Sequence, residues 1–255
     1  MTPFFDCCVV ADDEPFHEEP VLAPGATGAI LFGPHALARR REISGWAPDQ
    51  NWAHAEILDR VVGQAHAVFP TQSAQVVDLH LAPDLFDEFL KRPREWWPVC
   101  DALRNSKRAL RLKLPPGQGC AAGIKQVVKH FFDTYFWIDP FVFGPVDGWQ
   151  AQVRLATQVN VSVTTLGLFP GPNGLWSEDQ AQEALHYLVG EVGAARLLFA
   201  SGEPWAGYLG GQSVAKREWL EKSGAFDSRE LELVFQLNAK LLFVEDDTQS
   251  LSADL

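Results

Sequence analysis

Short apolar runs separated by amphipathic stretches set the rhythm of this chain. Runs rich in Val, Leu, Ile and Phe fall near residues 4–10, 28–33, 75–81, 109–114, 134–142, 159–166 and 196–201. Brief, nearly continuous apolar runs are what strands buried on both faces require. Between most of them the apolar positions recur at helical spacing. Two helix starts are written in side-chain chemistry. Ser177-Glu-Asp-Gln180 and Asp227-Ser-Arg-Glu230 each set a capping residue three positions before a side chain able to reach back to its amide. The first predicts a helix to about Val189, closed by Gly190 or Gly193. The second predicts a helix with Leu231, Val234, Phe235, Asn238, Leu241 and Leu242 on one face. Strands alternating with helices predict an α/β fold with a parallel sheet and right-handed crossovers.

The pattern also predicts where the fold is irregular. Seven strands stand out, and the stretch from Thr134 to Trp149 is short for the two that a regular eight-stranded barrel would ask of it. A shortened or irregular wall is expected there. Asp12 to Pro20 leaves no room for a full helix between the first two strands, and residues 34–53, with Arg39-Arg-Arg41, Trp46 and Trp52, read as a polar and aromatic insertion. Residues 1–245 are expected to form one domain, followed by a polar tail at 246–255. No internal repeat is present. Trp96-Trp97, in a Pro-flanked segment, is the aromatic pair expected to be exposed.

Composition narrows the function classes. At 255 residues and 47% hydrophobic the chain can bury a large core, and barrels of this length are commonly one domain. The formal charge of −12 argues against nucleic acid and anionic membrane surfaces, which both need a basic face. No apolar run approaches the ~20 residues of a membrane span, and the first residues lack a signal-peptide pattern. A cytoplasmic, reducing location is the expectation, with Cys7, Cys8, Cys100 and Cys120 as thiols. Cys7 and Cys8 point to opposite faces of a strand and lack Cys-x-x-Cys spacing. The seven histidines (His17, His35, His54, His66, His80, His130 and His186) include no pair two apart on a strand or four apart on a helix. A metal centre built on such a pair is therefore not expected.

Several motifs together resemble the amidohydrolase-related branch of the amidohydrolase superfamily. Ala195-Arg-Leu-Leu-Phe-Ala-Ser-Gly-Glu-Pro-Trp205 is similar to the last barrel strand of that family, and Leu237-Asn-Ala-Lys-Leu-Leu-Phe243 to its closing helix. Phe5-Asp-Cys-Cys-Val-Val10 matches the first strand, Ala74 to Asp84 the third, Arg108 to Pro116 the fourth, and Asn160 to Gly167 the seventh. The resemblance implies a (β/α)8 TIM barrel with its site at the C-terminal ends of the strands. It also implies altered chemistry. The two first-strand histidines of the family are replaced by Cys8 and Val10, and the metal-facing aspartate of the last strand by Gly202. The stretch Trp137 to Pro145 holds neither of the histidines expected after strands five and six. A thiolate can bind zinc, whereas valine and glycine offer no ligand.

Placed on such a barrel, the mouth would collect Asp6, Cys8 and Asp12 from strand one and Asp78 or His80 from strand three. Strand four would add Arg111 and Lys113, strand five Asp139, and the last strand Ser201, Glu203 and Trp205. Asp6 and Cys8 share strand parity and could both face the interior. The catalytic candidates are Glu203, Lys113 and Asp6, and the binding candidates Cys8, Asp139, Arg111 and Trp205. A desolvated lysine can serve as a nucleophile and a carboxylate in a dry pocket as a general acid or base, although packing or anion-binding roles are the plainer reading.

Two functions follow. In the first, the chain is a degenerate barrel without the usual metal centre, a non-catalytic pseudoenzyme that binds or regulates. In the alternative it is a hydrolase or decarboxylase acting on a small carboxylate or lactone by a metal-independent or rebuilt-site mechanism. No cofactor is expected unless zinc or another divalent metal occupies a site rebuilt from residues such as Cys8, His17 and Glu203. The partners allowed are a protein, a second copy in a homo-oligomer, or a small carboxylate ligand.

Overall fold

The computed structural model describes residues 3–10, 25–32, 51–58, 76–79, 94, 97–104, 108–112, 114, 122–171, 174–204 and 212–243. Within these only the backbone is described at 8–10, 28, 51–58, 77–79, 98–99, 102, 203–204, 212 and 243. The Asp12–Pro20 loop, most of the 34–53 insertion, His17, His80, Lys113, Trp96, Trp205 and the 246–255 tail lie outside the described residues.

The strands are β1 (Phe4–Val10), β2 (Ala26–Phe32), β3 (Asn51–Leu58), β4 (Val76–Leu79), β5 (Ala109–Leu112), β6 (Tyr135–Ile138), β7 (Val161–Thr164), β8 (Leu197–Leu198) and β9 (Glu203–Pro204). All pair in parallel, in the order β8-β7-β6-β5-β4-β3-β2-β1-β9. Phe199, directly after β8, accepts the Cys7 N–H at 2.8 Å, and β9 pairs with β1 through Val9 and Val10. The 197–204 run thus lies between β7 and β1, and the pairing returns to the strand from which it began.

The α/β barrel architecture stands, with one correction to its wall. The 134–149 stretch supplies one strand, β6, and the strand missing from the sequence pattern is β3. Residues 51–53, read above as the end of an insertion, open that strand. The runs matched to the third and fourth strands are therefore the fourth and fifth in the chain.

Two apolar layers follow from strand alternation. Phe5, Cys7, Ile30, Phe32, Val76, Ala109, Trp137, Leu198 and Ala200 form an inner cluster that takes residues from six strands and the turn after β8. Their neighbours Phe4, Leu31, Leu110, Leu112, Phe136, Ile138, Val161 and Val163 belong to the outer core, with helix residues such as Ile124, Val127, Ala184 and Leu188.

The helices are α1 (Trp97–Leu103), α2 (Ala122–His130), α3 (Trp149–Val153), α4 (Glu178–Val192), α5 (Gln212–Lys222), α6 (Ser228–Glu232) and α7 (Asn238–Phe243). Ser177 and Asp227 cap α4 and α6, each in a reciprocal box with Gln180 or Glu230, and α4 ends at Gly193. Between α6 and α7 the chain makes a wider π turn over Leu233–Leu237. Asn238 and Ala239 are buried, whereas Leu241, expected on the apolar face, is 80% exposed. Two asparagines tie the layers together. Asn160 Nδ2 lies 2.8–3.0 Å from the carbonyls of Val128, Phe131 and Thr134, and Asn238 Nδ2 donates to Ala194 and Leu197 at 2.8 Å.

Candidate functional site

In a parallel barrel all strands end on one face, and side chains from the last residues of several strands meet there. Arg111 is the penultimate residue of β5, Asp139 follows β6 directly, Thr164 ends β7 and Phe32 ends β2. Although separated by up to 132 positions, these four converge. Arg111 Nε donates to Asp139 Oδ2 at 2.5 Å, with the two side chains 5% and 1% exposed. The other carboxylate oxygen accepts from Trp137 Nε1 at 2.6 Å and from the Thr164 hydroxyl. The guanidinium lies 4.5 Å from the centre of the Phe32 ring and 5.3 Å from that of Trp137, and those rings meet edge to face. A planar cation against two aromatic faces, with its Nε held by a carboxylate, is well fixed in orientation. Asp78 is the register partner of Arg111 across β4 and β5.

The loops beyond β6 and β7 are held by their own core. Phe141, Trp149, Trp176 and Tyr187 pack as an aromatic cluster, and Trp176 Nε1 donates to the Phe141 carbonyl at 3.2 Å. Gly167 sits where a Cβ would stand 2.7 Å from that same carbonyl oxygen, at φ +83°, so only glycine lets the two loops close together.

The structure brings Arg111 and Asp139 into direct contact and sets Asp6 elsewhere. Asp6 is in register with Ala29, an outer-core residue, while its neighbours Phe5 and Cys7 join the inner cluster. Its Oδ1 accepts the Ser201 N–H at 2.9 Å, and Ser201 O accepts from Lys216 Nζ of α5 at 2.8 Å. Asp6 therefore ties β1 to the last strand on the helix side of the wall. Cys8 and Glu203 are described by their backbone alone, on strands joined in register at Val9 and Glu203. Lys113 and Trp205 fall outside the described residues. Three contributors escaped the sequence reading: Trp137, Thr164 and Phe32. Trp137 was within reach, because it sits two residues before Asp139 on one strand and so shares its face.

Trp97 is half-buried, stacked on His130 with ring centres 4.5 Å apart and Arg94 over its ring at 5.7 Å. A pocket of about 240 Å³ lined by Arg94, Trp97, Gln126, Val127 and His130 lies there, on the outer helices and remote from the strand ends. Among the described residues, no helix is long and apolar enough to cross a membrane.

No protein-family model matches the sequence, and no curated protein does. Solved structures do match in shape. An amidohydrolase from Burkholderia multivorans, solved with bound zinc, is 14% identical over 87% of this chain and 84% of its own, with a TM-score of 0.61. Amidohydrolase 2 from Bifidobacterium longum subsp. infantis is 14% identical over 96% of this chain and all of its own, at 0.59. A candidate 2-pyrone-4,6-dicarboxylic acid hydrolase from Pseudomonas putida is 19% identical over 95% and 98%, at 0.57. The shared feature is the fold, a parallel α/β arrangement like that of these barrel proteins.

Among the described residues no group of three or more His, Cys, Asp and Glu could hold an ion. Asp139 already accepts three hydrogen bonds from within the chain.

Proposed function

We propose that this amidohydrolase-type barrel is a binding or regulatory protein that has given up metal-dependent hydrolysis. The observation that supports it best is the use made of Asp139. Its carboxylate, at the end of a strand where side chains from several strands meet, is consumed by Arg111, Trp137 and Thr164. Both oxygens are occupied and the side chain is 1% exposed. Turning it into a base would mean breaking a buried pair, and leaving a buried charge without its partner costs about 3–5 kcal/mol. The replacement of the first-strand histidines by Cys8 and Val10 points the same way.

The ligand this reading favours is a small carboxylate or a protein partner. The alternative, a metal-independent hydrolase or decarboxylase of carboxylate or lactone substrates, draws on one observation. A buried Arg–Asp pair is an expensive way to fill a barrel. In that reading Arg111 would hold the substrate carboxylate, as an arginine fork does well.

The test has two arms. Protein purified without chelators is analysed for bound metals, and its melting temperature is followed with small mono- and dicarboxylates and their lactones. The proposal expects no stoichiometric metal, no turnover, and stabilisation by at least one ligand or by a partner. Stoichiometric metal together with lactone hydrolysis would overturn it. Turnover without metal, lost in Arg111→Met, would establish the alternative.

A further inference from the structure

We infer that Leu166 and Gly202 form an interlocked pair at the end of the last strand, so that a side chain restored there must both strain the backbone and displace Leu166, and a carboxylate there would not by itself restore a metal site. The inference deepens the reading of a metal-free barrel and rests on it. Gly202 adopts φ +67°, a backbone region that side chains rarely occupy without strain. A Cβ added there would lie 2.3 Å from Leu166 Cδ1, the end of a half-buried side chain that would have to turn aside, with Leu166 Cγ at an ordinary 3.8 Å. Leu166 in turn packs against the inner cluster.

Its position is fixed by the polar network. The Leu166 N–H donates to Thr164 Oγ1 at 3.3 Å, and the Thr164 hydroxyl donates to Asp139. One chain of contacts therefore runs from Arg111 through Asp139, Thr164 and Leu166 to Gly202. It takes the mouth from β5 to the last strand and spends the space on packing. The glycine and the leucine belong together, because the volume released by one is filled by the other.

The experiment is a double-mutant cycle with Leu166→Ala and Gly202→Ala, with Gly202→Asp as a third variant, each equilibrated with zinc, dialysed and analysed for metal and melting temperature. Gly202→Ala alone is expected to lower Tm by about 4–8 °C, from strain and overpacking together. Combined with Leu166→Ala it should lose clearly less than the sum of the two single changes. Gly202→Asp should remain without stoichiometric zinc. The inference is overturned if Gly202→Ala melts with the wild type, if the cycle is additive, or if Gly202→Asp alone binds one zinc per chain. Stoichiometric zinc in the wild type would instead overturn the proposed function, and the cycle would still report on the interlock. Should Gly202→Asp fail to fold, the alanine cycle decides.

Discussion

Replacing Asp139 with asparagine isolates the charge at the centre of the barrel. The amide keeps a carbonyl oxygen able to accept from Trp137 and Thr164, and the volume is unchanged. Arg111 loses its counter-charge while its side chain stays 5% exposed between Phe32 and Trp137. Breaking one side of a buried pair costs about 3–5 kcal/mol, and at roughly 2–4 °C per kcal/mol for a domain of this size Tm should fall by about 10 °C. Adding Arg111→Met removes the stranded charge and keeps an unbranched side chain against the two rings. The double variant should recover at least about 2 kcal/mol, since a buried pair exchanged for apolar groups is often near neutral. Urea unfolding followed by tryptophan fluorescence and circular dichroism gives all four free energies of the cycle. A cost below about 1 kcal/mol for Asp139→Asn, or no recovery in the double variant, would refute the assignment of this pair as the interior's structural centre.

Four further outcomes follow from other parts of the molecule. Asn160→Ala leaves three buried carbonyls without their shared donor, and should cost about 2–3 kcal/mol in the same urea assay; a loss under about 0.5 kcal/mol would show that water replaces it. Gly167→Ala sets a methyl against the Phe141 carbonyl at positive φ, so it should cost more than about 2 kcal/mol in thermal melts, whereas Leu241→Glu, at an exposed site, should change stability by less than about 0.5 kcal/mol. Burial, with Asp101 nearby, pushes the Cys100 thiol well above its ordinary value. The unfolded chain therefore ionises first, so stability from this group is intact below about pH 8.5 and declines as pH rises beyond it. The urea midpoint between pH 7 and pH 10 should fall more steeply in the wild type than in Cys100→Val, and parallel slopes would contradict this.

The legible parts of the fold were those with a continuous apolar signature or a local chemical one. β1, β5, β7 and β8 are dense in Val, Leu, Ile and Phe, and β2 and β4 largely so. β3 was missed because Asn51-Trp-Ala-His-Ala-Glu-Ile-Leu58 mixes asparagine, histidine and glutamate with alanines, a composition that reads as a polar loop. With that strand unseen, the deficit was assigned to the 134–149 stretch. The face of the C-terminal helix was right at Val234, Phe235, Asn238 and Leu242, which packs against the inner cluster, and failed at Leu241, which is exposed. In the candidate site, Arg111 and Asp139 were both named, yet nothing in the sequence pairs residues 28 apart in the chain. Asp6 was expected with Cys8 inside the barrel, and the structure sets it on the helix side.

By itself the sequence determined what depends on near neighbours. Helix starts at Ser177 and Asp227 are decided within four residues, where a side chain meets a backbone amide of its own turn. Strand identity, where it showed, came from apolar density over a few positions. The tertiary structure alone decided which way each strand faces and who meets whom at its end. Strand parity is a two-fold choice that one register shift reverses, and β1 carries such a shift between Asp6 and Val9. The saturation of Asp139 and the positive φ of Gly202 beside Leu166 likewise exist only once β5 to β8 are closed side by side, since they are properties of contacts and not of residues.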